Sequence, residues 1–221
     1  MGAAVAGLGD VDGDGVPDVA VGVPGKDIGG EDGSANVGLV YLFSGQTGAL
    51  IRTLNHPDQG GAEAGAAFGS ALANAGDVDG DEASDVLIGA PGEGHVFVFS
   101  GKTGNLLFDI ASPATEDLHS FGAAVAGGKD FNHDGKLDLL LAGNFDGVKP
   151  EIGRMSGSYG LYLRGDGKGG FAPISVSKSG FFVTGQVRDI QRIRTRQGER
   201  YVVTRNNDRP LVFRLNDAKQ R

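Results

Sequence analysis

The 221-residue chain contains no cysteine. That excludes a disulfide framework, a cysteine nucleophile and thiolate zinc sites, and it leaves the redox compartment open. No run approaches the roughly eighteen apolar residues of a membrane span. No N-glycosylation sequon occurs, and no segment keeps helical periodicity for three turns. The opening residues MGAAVAGLGD lack a basic region and their apolar stretch is broken by glycine, so they do not read as a signal peptide. His56, His95, His119 and His133 form no HxxH or HExxH pair. No GxSxG or phosphate-binding glycine loop stands at a strand-to-helix junction. The commonest catalytic and metallohydrolase constellations are therefore missing.

What is present is glycine, 40 residues of it, more than twice ordinary usage. It follows no collagen period and is interspersed with apolar residues, which points to a turn-rich β fold and not to disorder. Alternating stretches such as Leu39-Val40-Tyr41-Leu42-Phe43 and His95-Val96-Phe97-Val98-Phe99 read as strands. The formal net charge of −8 is unevenly spread. Residues 186–221 hold ten Lys and Arg against four Asp and Glu, a balance of +6, which leaves −14 on residues 1–185. So acidic a body argues against nucleic acid as the main partner. The basic tail alternates arginine with apolar residues, as the outward face of a last sheet would.

Three copies of one pattern fall into register when the chain is set against itself. The second runs Phe68-Gly69, then DVDGDEASD at 77–85, Gly89-Ala90-Pro91, and Ser100-Gly101-Lys102-Thr103-Gly104. The third has Phe121-Gly122, DFNHDGKLD at 130–138 and Ala142-Gly143-Asn144. The first has DVDGDGVPD at 10–18, Gly22-Val23-Pro24 and Ser44-Gly45-Gln46-Thr47-Gly48, with Met1-Gly2 in the place of Phe-Gly. Each unit reads as four short strands, at 70–76, 85–90, 95–100 and 105–110 in the second copy, and a four-stranded sheet repeating at this period is a propeller blade. A divergent fourth unit follows, with strands expected at Gln186–Ile190, Tyr201–Thr204 and Leu211–Leu215. The units fall at about 1–60, 61–115, 116–177 and 178–221. Extra residues around 26–36 and 145–157 project from one face of the assembly, the place where repeat proteins commonly bind.

In each acidic loop, oxygen-bearing side chains occupy positions 1, 3, 5 and 9, and position 7 carries none that can ligate. The candidate ligands are Asp10, Asp12, Asp14, Val16 through its carbonyl, and Asp18; then Asp77, Asp79, Asp81, Ala83 and Asp85; then Asp130, Asn132, Asp134, Lys136 and Asp138. This is a hard-cation pattern, and calcium, which takes six to eight oxygens in flexible geometry, suits it better than magnesium. No histidine or cysteine joins the set, which disfavours zinc. An EF-hand needs a bidentate glutamate at position 12, where this chain has Val21, Ile88 and Leu141. The loops are unequal: Gly15 and Gly135 hold position 6 but Glu82 replaces them in the second loop, and Asn132 replaces a carboxylate in the third. The first is expected to bind best.

These residues resemble the FG-GAP repeat, the blade of integrin α-subunit propellers, which also occurs in bacterial surface and secreted proteins; the tail, with GQVRDI and RNNDRPLVFRL, looks like the end of bacterial FG-GAP/VCBS-type proteins. The resemblance covers about residues 1–165 and rests on FG, the acidic loop, GAP and the SGxTG turn recurring in order. It implies an all-β, FG-GAP-type β-propeller of three to four blades of four antiparallel strands, part of a seven-bladed ring. Up to three calcium ions would sit at the underside and partner-binding loops on the opposite face. Arg188 and Ile190 stand where ligands would be in the fourth unit, so no fourth site is expected. A half-ring leaves apolar blade faces uncovered, so the chain is expected to be a piece of a longer exported protein, with a four-bladed ring or a ring-completing dimer as alternatives.

Two functions follow from these expectations. One is a non-catalytic, calcium-stabilised module that recognises an extracellular protein or carbohydrate at a cell surface, outside the cell or in the periplasm. The other is the propeller of a secreted polysaccharide lyase or hydrolase, which would need a catalytic cluster on the loop-bearing face. That face offers Lys26, Asp27, Glu31, Asp32, Lys149, Glu151 and Arg154, with no aromatic platform, so the binding module is preferred. Arg164-Gly165-Asp166 spells an adhesion tripeptide, but it aligns with the SGxTG turn and is read as a hairpin.

Overall fold

The structure is a computed structural model that describes residues 3–26, 36–58, 65–112, 120–132, 134–143, 159–168 and 170–214. Alternating apolar residues between glycine turns build four antiparallel meanders. The first sheet is β1 (Ala4–Gly7), β2 (Val19–Val23), β3 (Leu39–Phe43) and β4 (Leu50–Asn55). The second is β5 (Ala71–Gly76), β6 (Asp85–Ala90), β7 (His95–Phe99) and β8 (Leu106–Ala111). The third is β9 (Ala124–Lys129), β10 (Asp138–Ala142), β11 (Leu161–Gly165) and β12 (Phe171–Ile174). A one-turn helix, α1 (Val176–Ser179), leads to a last sheet of three described strands, β13 (Val187–Thr195), β14 (Gly198–Arg205) and β15 (Leu211–Arg214). The expected strand at Gln186–Ile190 runs on to Thr195 because β13 continues into a tight hairpin with β14, where Thr195 pairs with Gly198.

The first strand of each sheet packs beside the first strand of the next, β1 on β5, β5 on β9 and β9 on β13. Together these four strands line one concave space. Sheets that stack face to face with their first strands around a shared axis are the propeller arrangement. Between each pair of sheets lies one apolar core. Ala20, Val40, Leu42 and Leu54 meet Val86, Ile88, Ala90, Phe97 and Phe99 in the first. The second joins Leu87, Val96 and Val98 to Val125, Leu139, Leu141 and Leu163. In the third, Leu140 and Ala142 meet Val187, Ile190, Tyr201 and Val203. The two middle sheets are thus covered on both faces, and β6 and β10 are buried at every position.

The Phe-Gly and Gly-Ala-Pro signatures have one joint explanation. Phe68 and Phe121 are completely buried in the first two inter-sheet cores, each contributing about 1.5–3 kcal/mol by burial. The glycine that follows each takes a positive φ, +87° at Gly69 and +83° at Gly122. A Cβ built on Gly22 would overlap the Gly69 carbonyl oxygen, and one on Gly89 would overlap that of Gly122. Backbone therefore meets backbone where successive sheets touch, and only glycine fits there.

Candidate metal centre

Each acidic loop first satisfies its own backbone. Asp10 accepts the amides of Gly13 at 2.7 Å, Asp14 at 3.1 Å and Gly15 at 2.9 Å, and Asp77 does the same for Gly80, Asp81 and Glu82. Asp130 holds the amides of Asp134 and Gly135. These hydrogen bonds, three to five residues along the chain, wind the loop around its first carboxylate. Position 6 takes a positive φ in all three: +86° at Gly15, +71° at Glu82 and +83° at Gly135. Glu82 accepts a conformation that costs a non-glycine residue about 1 kcal/mol or more.

Position 9 has a second task that the spacing did not reveal. Asp18, Asp85 and Asp138 are at most 1% exposed. Each spreads its two oxygens between the amide of loop position 2 and the amide of a hairpin glycine. Asp18 takes Val11 at 2.7 Å and Gly45 at 2.9 Å; Asp85 takes Val78 and Gly101; Asp138 takes Phe131 and Gly165. The carboxylate thus ties the loop to the turn between the third and fourth strands. Those glycines are also forced sterically, since a Cβ at Gly45, Gly101 or Gly165 would overlap the carbonyl oxygen of Pro17, Ser84 or Leu137. The hairpin role accounts for Gly165 in Arg164-Gly165-Asp166, while Asp166 accepts the amides of Lys168 and Gly170 to close the same turn.

Carboxylate oxygens of Asp10, Asp12 and Asp18 lie within 4.8 Å of one another, as do those of Asp77, Asp79 and Asp85. Calcium–oxygen distances of 2.3–2.6 Å place opposed ligands roughly 4.6–5.2 Å apart, so both triplets are the right size for such an ion. Asp14 and Asp81 stand outside the triplets. Each accepts the position-7 amide, from Val16 or Ala83, and a serine hydroxyl at 3.3 Å, from Ser44 or Ser100. From the sequence the SGxTG segments read as turns; the recurrence of their serine is the signal for this second contact. Burial, reinforced by the charges of Asp79 and Asp81, pushes the Asp85 carboxyl up to about 6 against the pull of the Val78 and Gly101 amides. A cation beside it would relieve that repulsion.

The third loop gives its carboxylates different partners. Asn132 donates its amide to Asp134 at 3.0 Å, and the Tyr162 hydroxyl donates to Asp138 at 2.9 Å. Leu42 and Val98 occupy the Tyr162 position in the first two units, and Arg164 replaces Ser44 and Ser100. Burial pushes the Asp138 carboxyl up, opposed by the amides of Gly165 and Phe131 and by Tyr162. His133 lies outside the described residues, as do Asp27, Glu31, Asp32, Lys149, Glu151 and Arg154 of the expected binding face. Of that face Lys26 is described, exposed beside β2. In the last sheet Ile190 is buried in the third core and Arg188 is exposed on β13.

The FG-GAP repeat family profile matches residues 1–43, and that of the FG-GAP-like repeat matches residues 77–141. The chain is an FG-GAP repeat protein. Among curated relatives of this FG-GAP chain, integrin alpha-E of Mus musculus is 36% identical over 152 residues, covering 60% of this chain and 12% of that protein. Integrin alpha-X of Homo sapiens is 40% identical over 84 residues, or 34% of this chain and 7% of that protein. The chain thus spans a small part of either relative. Among solved structures, a rhamnogalacturonan lyase of Bacillus licheniformis aligns with 90% of this chain and 35% of its own at 18% identity and a TM-score of 0.46. Among the described residues no helix is long and apolar enough to cross a membrane.

Proposed function

We propose that the chain is a calcium-stabilised recognition module, displayed outside the cell, that binds a protein or a carbohydrate without transforming it. One observation supports this most: two aspartate triplets of calcium size, each with one member buried against the strand it anchors. Calcium at Asp10, Asp12 and Asp18, and at Asp77, Asp79 and Asp85, would supply charge neutralisation and fix the bends into β2 and β6. The chain's own amides hold the position-9 carboxylate in place whether or not the ion is bound. The third loop, with Asn132 and the Tyr162 contact, is the weakest candidate. Likeness to integrin α-subunits favours adhesion and an extracellular or surface location. The lyase or hydrolase alternative gains no argument, because every residue named for its loop-bearing face except Lys26 falls outside the described structure.

The test is calcium titration of chelator-stripped protein by calorimetry, followed by a glycan array and pull-downs from cell-surface extracts in calcium and in chelator. Calcium-dependent capture without chemical change of the ligand supports the module. Release of unsaturated sugars from a polysaccharide would support the enzyme instead.

A further inference from the structure

The junction between acidic loop and hairpin carries a different charge in each of the first three blades. Gly45, Gly101 and Gly165 donate to the position-9 carboxylates, and the residue after each is Gln46, Lys102 or Asp166. The second loop is the most acidic of the three, with five carboxylates in residues 77–85 against four in 10–18 and three in 130–138. It is also the loop whose hairpin offers a cation. The Lys102 ammonium donates to the Asp81 carbonyl oxygen at 2.6 Å, a charge-assisted bond.

A lysine on a surface hairpin ordinarily samples many rotamers, and its charge then counts for little. Lys102 is held at both ends. Arg52 of β4, in the first sheet, donates to the carbonyl oxygens of Lys102 and, at 2.8 Å, of Thr103. That fixes the hairpin backbone from the neighbouring sheet, while the ammonium closes onto the loop of its own blade. Ser100 and Gly101, immediately before it, contact Asp81 and Asp85. The charge is thus fastened at loop position 5, between Asp79 and Asp85 of the candidate triplet.

The third blade arrives at a similar pairing from the other side. Its hairpin residue is the acid, Asp166, and the cation comes from the loop. The Lys136 side chain lies along the hairpin, 3.2 Å from where a Cβ on Gly167 would stand. The amides of Lys168 and Gly170 hold the Asp166 carboxyl below its ordinary range, aided by the charges of Lys136 and Lys168. The first blade has Val16 and Gln46 at these two places, neither of them charged.

We infer that Lys102 is an internal counter-ion of the second acidic loop, which steadies the loop without a metal and opposes the entry of one. The inference rests on the calcium reading proposed above. A unit positive charge several ångströms from a divalent ion, screened by water and salt, changes affinity by a factor of roughly three to ten. The second blade therefore releases its ion more readily than its five carboxylates alone would allow, and keeps its loop in shape when the ion has gone.

Calcium calorimetry on the full chain, with one loop disabled at a time, tests this. In an Asp12→Ala background, which leaves the second loop to bind, Lys102→Gln should tighten calcium by that factor. In chelator the same change should lower the melting temperature by about two to four degrees, and the deficit should shrink as calcium is added. Gln46→Lys in an Asp79→Ala background should do the reverse and weaken the first loop by a similar factor. A lysine that only braces the hairpin would give an equal deficit in calcium and in chelator with no gain in affinity. That result would overturn the inference while leaving calcium binding intact. No ion bound in either background would overturn the calcium reading, and the inference with it.

Discussion

The first and third acidic loops share a backbone and part company in how they settle their charge. Both wind around a first aspartate that accepts loop amides, and both bury a ninth-position aspartate clamped by two further amides. In the first loop the remaining negative charge gathers in a triplet of calcium size. In the third, an amide from Asn132 and a hydroxyl from Tyr162 have taken up part of it. The lesson is that one scaffold can gather its carboxylates into an ion-sized triplet or meet part of their charge with its own donors. On the proposed reading, dependence on an ion would be a property of each blade.

The sharpest way to break this comparison is at the clamp that both loops share. Asp18→Asn and Asp138→Asn each turn an amide group toward a backbone N–H that has lost its acceptor. Either should cost about 2–4 kcal/mol with or without calcium, read by urea denaturation. A variant that lost stability in calcium alone would show that position 9 serves only the ion. Next in size is Asp12→Ala against Asn132→Ala. The first should weaken calcium binding tenfold or more and lower the melting temperature in calcium; the second should change both less. Equal effects would erase the distinction between the loops. Tyr162→Phe should then cost about 1 kcal/mol in chelator, the worth of one hydrogen bond, and recover part of it as calcium is added.

The smallest expected effect serves as a control at a contact remote from the acidic loops. His56, 4% exposed and stacked edge-on to Phe68 and Phe97, contacts Glu93 of the second sheet at 2.7 Å. Burial lowers its pKa, but the Glu93 hydrogen bond and charge, aided by Asp58, outweigh it and the net shift is upward. The raised value means that the pair's contribution is complete below about 6.5, the ordinary histidine value, and is lost as pH rises through the higher folded-state value. Melting temperature should fall slightly from pH 7 to 9, above the range in which Asp85 titrates, equally in calcium and chelator, and His56→Gln should flatten the slope. A slope present only in calcium would contradict this assignment.

The repeats made much of the fold legible before any coordinates. Phe-Gly, the acidic loop, Gly-Ala-Pro and SGxTG recur in order, and each strand follows from alternation between glycine turns. The convergence of positions 1, 3 and 9 in the first two loops was legible for the same reason, while positions 5 and 7 and the third loop stay candidate ligands. What the pattern could not display was pairing across distance. The amides of Gly45, Gly101 and Gly165 reach the buried aspartates from 16 to 27 residues away, and a glycine carries no side chain to announce an N–H donor. Tyr162 looked like one more strand residue, because its meeting with Asp138 depends on strand register. The contact of His56 with Glu93 was equally hidden, for it joins two sheets.

The claim on which the rest depends is that divalent ions fasten the first two blades, and parallel melting with dialysis reaches it most directly. At free calcium about one hundred times the dissociation constant, each occupied site adds about 2.7 kcal/mol. Two sites should then raise the melting temperature by about ten degrees or more for a chain of this length, with at least two ions retained per chain. Identical melting in calcium and in chelator, with no ion retained, would contradict the account.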